Sequence, residues 1–363
     1  MKKNLKKILA LSLALLLVLP FALAGCSTPE TPDTNNTTNN TDNTQASTEG
    51  NTPSTNEPTA TPDSSLEMKI YALNGTTALG MAKMIENEKN NTDSMNYKIT
   101  LHTAADAITG AIVSGECAIA ALPTNVAAKL YKASNGKLQL LALNTLGVLY
   151  LLDSGNTVTT LNDLNGKTIY LPGAGSNPEF ITAALLESAG LEVGTDVILD
   201  TTSYPSPDAL QQAIIAGQAP LAVLPEPKVT VVTTNKPEVR VALDLTAEWE
   251  TLNGKNTLVQ GCLVVNTAFA EAHPVEVAQF IKDYQESVEF ISEGSESAIN
   301  MIVSAGILPK AAIATKALPK CNICYIAGAD MKPVMKIFCE KLYALNPASV
   351  GAVPDDGFYY IAQ

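Results

Sequence analysis

Asp208 to Pro225, DALQQAIIAGQAPLAVLP, repeats without a gap the pattern of Asp106 to Pro123, DAITGAIVSGECAIAALP. Asp106 matches Asp208, Ala111 matches Ala213, Ile112 matches Ile214, Gly115 matches Gly217, Ala120 matches Ala222, and Leu122-Pro123 matches Leu224-Pro225. In each copy, apolar residues recur at helical spacing up to a glycine suited to end a helix. An apolar run of strand length then follows. Upstream, Ile70-Tyr71 precedes one Gly turn and Ile169-Tyr170 another, at offsets that differ only by a small loop change. Any two strand–helix units share some of this pattern, but agreement in both order and element type points to a duplicated α/β unit.

The second copy opens with Thr168 to Gly190, TIYLPGAGSNPEFITAALLESAG. This stretch reads as a short strand, a Gly-rich turn and a helix. Ser176 and Glu179 have capping-box spacing, and Pro178 is tolerated in a first helical turn because its missing N–H would lack a partner there. Phe180, Ile181, Ala184, Leu185 and Ala189 form one apolar face, and Gly190 closes it. Such a turn aims backbone N–H groups at an anion or another acceptor. It is no dinucleotide fingerprint, since Pro178 stands where the third glycine belongs. Gly166-Lys167-Thr168 precedes the strand and lacks the first glycine of a phosphate loop, and no nucleophile elbow occurs.

Working outward, strands and helices alternate from Met68 to Asp153 and again to Leu245, which predicts α/β layers with mainly parallel strands. LVQGCLVVN (Leu258 to Asn266) leads back, His273-Pro274 opens a long helix through Ile291, and Ser295 to Ala305 is another helix. The expected architecture is two similar α/β lobes joined by a hinge. Residues 66–152 plus 258–363 form the first lobe and 153–257 the second. The crossings fall near Leu149 to Asp153 and near Thr246 to Cys262.

Turns at the C-terminal ends of strands line the ligand crevice of open α/β sheets. The first lobe offers Gly75, Thr76, Thr77, Thr103, Thr124, Asn125, Asn144 and Thr145 there. The second offers Gly173, Gly175, Ser176, Asn177, Thr202 to Tyr204, and Glu226. Facing lobes of this kind close on a small molecule by hinge bending.

The chain has 363 residues and a formal net charge of −13, and its leader carries four of the lysines (Lys2, Lys3, Lys6, Lys7), so the remainder is more acidic still. An acidic surface repels nucleic acid and anionic headgroups, which excludes both as partners. Arg240 is the only arginine, so a pocket of several arginine clamps is excluded as well. Four lysines, an apolar run from Ile8 to Val18, and Leu23-Ala24-Gly25-Cys26 make a leader too short to span a bilayer. From Ser27 to Ser65 the chain is almost wholly Thr, Asn, Pro, Ser, Asp and Glu. That composition predicts a disordered tether (26–65) whose ends lie roughly 35 Å apart.

The leader resembles that of bacterial lipoproteins, which implies a signal peptide over 1–25 and lipidation of Cys26. The body resembles the substrate-binding proteins of ABC importers, in the nitrate/sulfonate/taurine group that includes thiamine-precursor binders. The resemblance rests on DAL (Asp208 to Leu210), IAGQ (Ile215 to Gln218), LAVLPEP (Leu221 to Pro227) and LVVNTAFAEAHPVEVAQFIKDYQESVEFI (Leu263 to Ile291). It weakens over 306–363. It implies two lobes around a cleft, a type II-like periplasmic-binding-protein architecture lined at Gly75 to Thr77, Thr124-Asn125, Gly175-Ser176 and Pro225-Glu226. It also implies a small-molecule ligand, an ABC permease and ATPase as partners, a monomer, and attachment to the outer face of the cytoplasmic membrane by the lipid alone. No cofactor, metal or bond chemistry is expected.

Several side chains carry two readings. Glu226 either meets a ligand amine or caps the next helix, and Tyr204 either contacts ligand or packs at the hinge. Trp249 is read first as an interface residue, His273 as helix-start chemistry, and His102 as a polar strand-end residue near the cleft. Cys117, Cys262, Cys321, Cys324 and Cys339 read by default as small buried residues, with a disulfide as the alternative in an exported protein and at least one of the five left unpaired. Cys321 and Cys324 at C-x-x-C spacing lack the further ligands of a zinc site. No aromatic pair is evident. The alternatives to transport are a pyrimidine-precursor synthase on the same fold, or a lipoprotein sensor; the export leader argues against the synthase.

Overall fold

The computed structural model describes residues 60–362. The leader, Cys26 and nearly all of the tether lie outside them. The first run of elements comprises β1 (Glu67–Leu73), α1 (Thr76–Leu79), α2 (Ala82–Asn90), β2 (Asn96–His102), α3 (Asp106–Ser114), β3 (Ile119–Pro123), α4 (Thr124–Ser134) and β4 (Leu138–Thr145). The second comprises β5 (Leu149–Asp153), β6 (Thr168–Tyr170), α5 (Asn177–Ser188), β7 (Ile198–Asp200), α6 (Pro207–Ile215), β8 (Leu221–Pro225), α7 (Lys228–Asn235), β9 (Arg240–Asp244) and α8 (Leu245–Asn253). The chain then returns through β10 (Gly261–Asn266), α9 (Thr267–Ala272), α10 (Pro274–Ser292) and α11 (Glu296–Ser304). It ends with α12 (Ala311–Ala317), β11 (Ile323–Ala327) and α13 (Met331–Leu345).

Two sheets result, ordered β11-β4-β10-β3-β1-β2 and β7-β6-β8-β5-β9. The duplication read from the sequence is present in the pairing register. Tyr71 lies opposite Ala120 in the β1/β3 ladder, and their repeat counterparts Tyr170 and Ala222 lie opposite each other in β6/β8. The helices before β3 and β8 end alike, with Gly115 at φ 80° and Gly217 at φ 77°, a conformation in which an L side chain is strained.

Two expectations are corrected. The sheets are mixed, because only β1/β2, β1/β3, β6/β7 and β6/β8 are parallel, whereas β10 and β5 run antiparallel to both neighbours. Leu149 to Leu152, assigned above to the first lobe, pair in the second sheet as β5. The reason is an exchange of strands. Each sheet takes the antiparallel partner of its third parallel strand from chain that has just crossed over, β5 beside β8 and β10 beside β3. An apolar strand such as LYLLD suits either sheet, and only the partner decides.

Arg240 is spent on this framework. It donates to Asp153 Oδ2 at 3.1 Å and to the carbonyl of Val158, at the end of β5. Burial opposes ionisation of Asp153, yet the amides of Gly155, Thr157 and Val158, with Arg240, hold its carboxyl below the usual range.

The first sheet is buried on both faces. Met68, Ile70 and Ala72 pack with α1, α2, α10 and α11. The opposite face, with Leu122, Leu140 and Val264, shares one cluster with Leu151, Ile169 and Leu185 of the second lobe. Residues 306–362 join the two. β11 pairs with the edge of β4, and Tyr360 donates its N–H to Leu140 O at 2.9 Å farther along that strand. Between these anchors α13 packs on α5, with Met331, Met335, Phe338, Cys339 and Leu342 fully buried. The segment leaves the first lobe, lies on the second, and returns.

One surface feature sets a pH dependence. A cavity in the first lobe is lined by Lys83, Asn87, Asp93, Tyr97, Asp283 and Glu286 among others. Burial, then the charges of Glu88 and Asp283, push the Asp93 carboxyl up to about 6, against the pull of Lys98. A carboxyl raised in the folded state binds more protons there than in the unfolded chain. Its contribution to stability therefore improves as pH falls from neutrality through about 6 toward the unfolded value. Asp93→Asn should raise the melting temperature at pH 7.5 and flatten its rise between pH 7 and pH 5. An unchanged pH profile would refute the assignment.

Candidate ligand-binding seam

The strand-end turns of the two lobes meet directly. α4 starts from Pro123 at the end of β3, and α5 starts from the Gly turn after β6, so both helix N-termini reach the same place. Asn125 Nδ2 donates to Gly175 O at 3.2 Å. Asn177 Nδ2 donates to Thr124 Oγ1 at 3.4 Å and to Gln260 O at 3.2 Å. Thr124 Oγ1 in turn donates to Val259 O at 2.5 Å. Thr124, Asn125 and Asn177 are buried, and the amide oxygens Oδ1 of both asparagines are buried without a partner.

Gln260, which sequence reasoning missed, is the node behind this seam. Its side-chain oxygen accepts from Val148 N at 2.6 Å and its own N–H donates to Thr145 O at 2.9 Å. It thereby fastens the second crossover to the first. Asn322, in the middle of the C-x-x-C stretch, adds a second fastening. Its carbonyl accepts from Leu146 N at 3.0 Å, and its Nδ2 donates to Gly147 O at 2.5 Å. Asn322 has φ 39°, which asparagine tolerates better than most side chains. A polar residue flanked by two cysteines was the only signal, and the cysteines drew the attention.

Thr77 and Asn144 sit one layer behind the seam in the first lobe. Asn144 Nδ2 donates to Thr77 O at 3.0 Å, and a Cβ on Gly261 would lie 2.6 Å from Asn144 Oδ1 and 2.7 Å from Thr77 Cγ2. Gly75, at φ 132°, starts α1 with Thr76 as its first residue, and neither shows a bond across the seam.

The Gly turn of the second lobe differs from its expected form. Ser176 sits at the N-cap of α5 but makes no capping bond, and its hydroxyl turns back to Gly173 O at 2.9 Å. Glu179 reaches one residue past Ser176 and accepts from Gly175 N at 2.5 Å. The capping box is thus replaced by a carboxylate folded onto the turn. Gly173, at φ 85°, packs so closely that a Cβ would lie 2.9 Å from Pro205 O.

Glu226 takes the capping role. Both its oxygens accept from Thr230, from the amide at 3.0 Å and the hydroxyl at 2.9 Å. Burial raises its pKa, against the lowering effect of those bonds and of Lys320. Tyr204 stacks edge-on to Tyr170, with ring centroids 5.5 Å apart, an aromatic pair that the sequence did not reveal. Tyr71 and His102 pair at 4.7 Å in the first lobe, at the positions corresponding to Tyr170 and the loop after β7. Trp249 is fully buried, donates to Thr257 Oγ1 at 3.1 Å and lies 6.0 Å from the Phe338 ring. His273 precedes α10, with Nδ1 4.0 Å from Glu276.

The five cysteines among the described residues are free, and only Cys324 is other than fully buried. Burial pushes the Cys117, Cys324 and Cys339 thiols up to about 12 and raises those of Cys262 and Cys321 too, so none is a thiolate at neutral pH. Among the described residues no cluster of His, Cys, Asp and Glu has metal-binding geometry, and no helix is long and apolar enough to cross a membrane.

Two mixed sheets that exchange strands through two crossovers define the periplasmic-binding-protein fold. The family model described as NMT1/THI5 like matches residues 137–298, from β4 into α11. Solved structures of similar fold include an ABC transporter protein from Parabacteroides distasonis. It is 22% identical with a TM-score of 0.68, and the match covers 83% of this chain and 100% of that one. The periplasmic aliphatic sulphonate binding protein of Escherichia coli is 16% identical with a TM-score of 0.64, over 80% of this chain and 94% of its own. The alkanesulfonate-binding protein of Xanthomonas axonopodis pv. citri, bound to MOPS, is 16% identical with a TM-score of 0.62, over 82% and 96%. No curated protein sequence matches the chain. The likeness to these binding proteins is therefore one of fold.

Proposed function

We propose that the protein is the extracytoplasmic solute-binding component of an ABC importer. It captures a small molecule between its lobes and passes it to a permease driven by an ATPase. The observation that carries this reading is the meeting of Asn125 in one lobe with Gly175 in the other, at the C-terminal ends of the strands. In this reading the two lobes part and close about the crossovers, the chain around Gly147 and Gln260. The binding surface comprises Gly75, Thr76, Thr77, Thr124, Asn125 and Asn144 from the first lobe. Gly173, Gly175, Ser176, Asn177 and Tyr204 belong to it from the second, whereas Glu226 spends both oxygens on Thr230.

The neighbours named for transport support this reading over bond-making chemistry. In this reading Cys26 carries the lipid that holds the protein, as a monomer, to the outer face of the cytoplasmic membrane. The lobes comprise about 66–148 with 258–363, and 149–257. Calorimetric titration of the full-length protein in detergent against a panel of small metabolites should show one site per chain. That heat should disappear in Asn125→Ala, with circular dichroism expected to show an unchanged fold. Equal binding by wild type and variant would place the site elsewhere.

A further inference from the structure

We infer that the seam selects an uncharged or cationic solute presenting at least two N–H or O–H donors, and that it disfavours oxyanions. This rests on the solute-binding reading above and narrows it.

The hydrogen-bond inventory decides which way each amide faces. Asn125 meets Gly175 O, a carbonyl that can only accept, so the group turned toward it is the NH2. Asn177 faces Gln260 O, likewise an acceptor, and Thr124 Oγ1. The Thr124 proton is spent on Val259 O, so that hydroxyl also accepts from Asn177. Neither asparagine can be flipped without setting oxygen against oxygen. Both amide oxygens are therefore left as acceptors, in side chains only 2% and 4% exposed, with no donor of the protein in reach. A buried acceptor without a donor carries the desolvation cost of that group, and a ligand donor relieves it.

Some of the groups that would hold an oxyanion are already taken, although the starts of α4 and α5 carry no side-chain cap. Gly175 N, the amide at the tip of the turn, is filled by the Glu179 carboxylate. After β7, Asp200 draws in the amides of Thr202 and Ser203 together with both hydroxyls. Ser203 above all holds its carboxyl at about 2. These carboxylates put negative charge around the strand ends of the second lobe, where an anion would approach. The only arginine is bound to Asp153, and none of Thr124, Asn125, Gly175, Asn177 and Gln260 is cationic. A carboxylate in the first turn of α5, folded onto the loop before it, also offsets the attraction that the helix dipole offers to an anion.

The test is calorimetry on the full-length protein in detergent with two sets of probes. Ethylenediamine, guanidinium, glucosamine and adenine supply donors; methanesulfonate, nitrate and acetate supply oxyanions. At least one donor probe should bind, about tenfold more weakly in Asn125→Leu and in Asn177→Leu, and the anions should give no saturable heat. Should the leucine variants fail to fold, Asn177→Ser, which keeps a hydroxyl donor but lacks the amide oxygen, should weaken donor binding likewise. Saturable binding of an oxyanion, or donor binding indifferent to both asparagines, overturns the ligand class while leaving the solute-binding reading intact. Silence toward both sets overturns that reading and the inference with it.

Discussion

Phe338→Ala should destabilise the protein by about 3–5 kcal/mol, the usual cost of removing a buried aromatic ring. Phe338 is fully buried on α13, and its ring lies 6.0 Å from that of Trp249 on α8. It belongs to a cluster that draws residues from both sheets, so its loss opens a cavity at a junction rather than within one lobe. α13 is tethered at both ends to the first lobe, by β11 before it and by the Tyr360 bond after it. Its middle rests on α5 of the second lobe. Loosening that contact should speed amide hydrogen exchange in α5 and α8 more than in β1 or β3. Urea midpoints give the stability change. A loss below about 1 kcal/mol, or exchange accelerated equally everywhere, would show that the C-terminal segment does not tie the lobes together.

Gly147→Ala should cost about 1–3 kcal/mol, as overpacking does where neighbours cannot retreat. A Cβ on Gly147 would lie 2.2 Å from Thr246 Cγ2 and 2.5 Å from its Oγ1. Thr246 is β-branched, buried and in the first turn of α8, so its χ1 is restricted and it has little room to retreat. Gly147 lies on the first crossover, and its carbonyl holds Asn322. The alanine should therefore shift the lobes as well as weaken the fold. The double variant Gly147→Ala/Thr246→Ser separates the two effects, since removing the Thr246 methyl removes the worst contact. Recovery of most of the melting temperature is expected. A single variant as stable as wild type would mean that the crossover yields freely.

The fold could be read from the sequence because its signals are local. Helical spacing, the glycines after α3 and α6, and the order of elements all survive without knowledge of partners. The duplication needed only the comparison of Asp106–Pro123 with Asp208–Pro225, and the ladders Tyr71–Ala120 and Tyr170–Ala222 confirm its register. Strand direction and ownership were not local. LYLLD has the same apolar pattern whichever sheet receives it, and only its pairing with β8 and β9 places it in the second.

The candidate seam was legible as a set of turns but not as a set of bonds. Thr124, Asn125, Gly175 and Asn177 were identifiable because strand ends carry ligand sites in α/β sheets. That the Gly turn is closed by Glu179, that Glu226 spends both oxygens on Thr230, and that Tyr170 stacks on Tyr204 depend on distances no spacing rule conveys. Gln260 and Asn322 were missed because an isolated polar residue in a connecting segment carries no pattern. Their importance arises when two crossovers distant in sequence come side by side, as Val148 and Gln260 do.

The sequence by itself determined a duplicated α/β chain with strand-end turns, since periodicity and turn chemistry act over a few residues. Only the tertiary structure decided which strands each sheet exchanges, what fastens the crossovers, and which acceptors the seam leaves without a donor. Those depend on which groups meet after folding, where each donor can be spent only once.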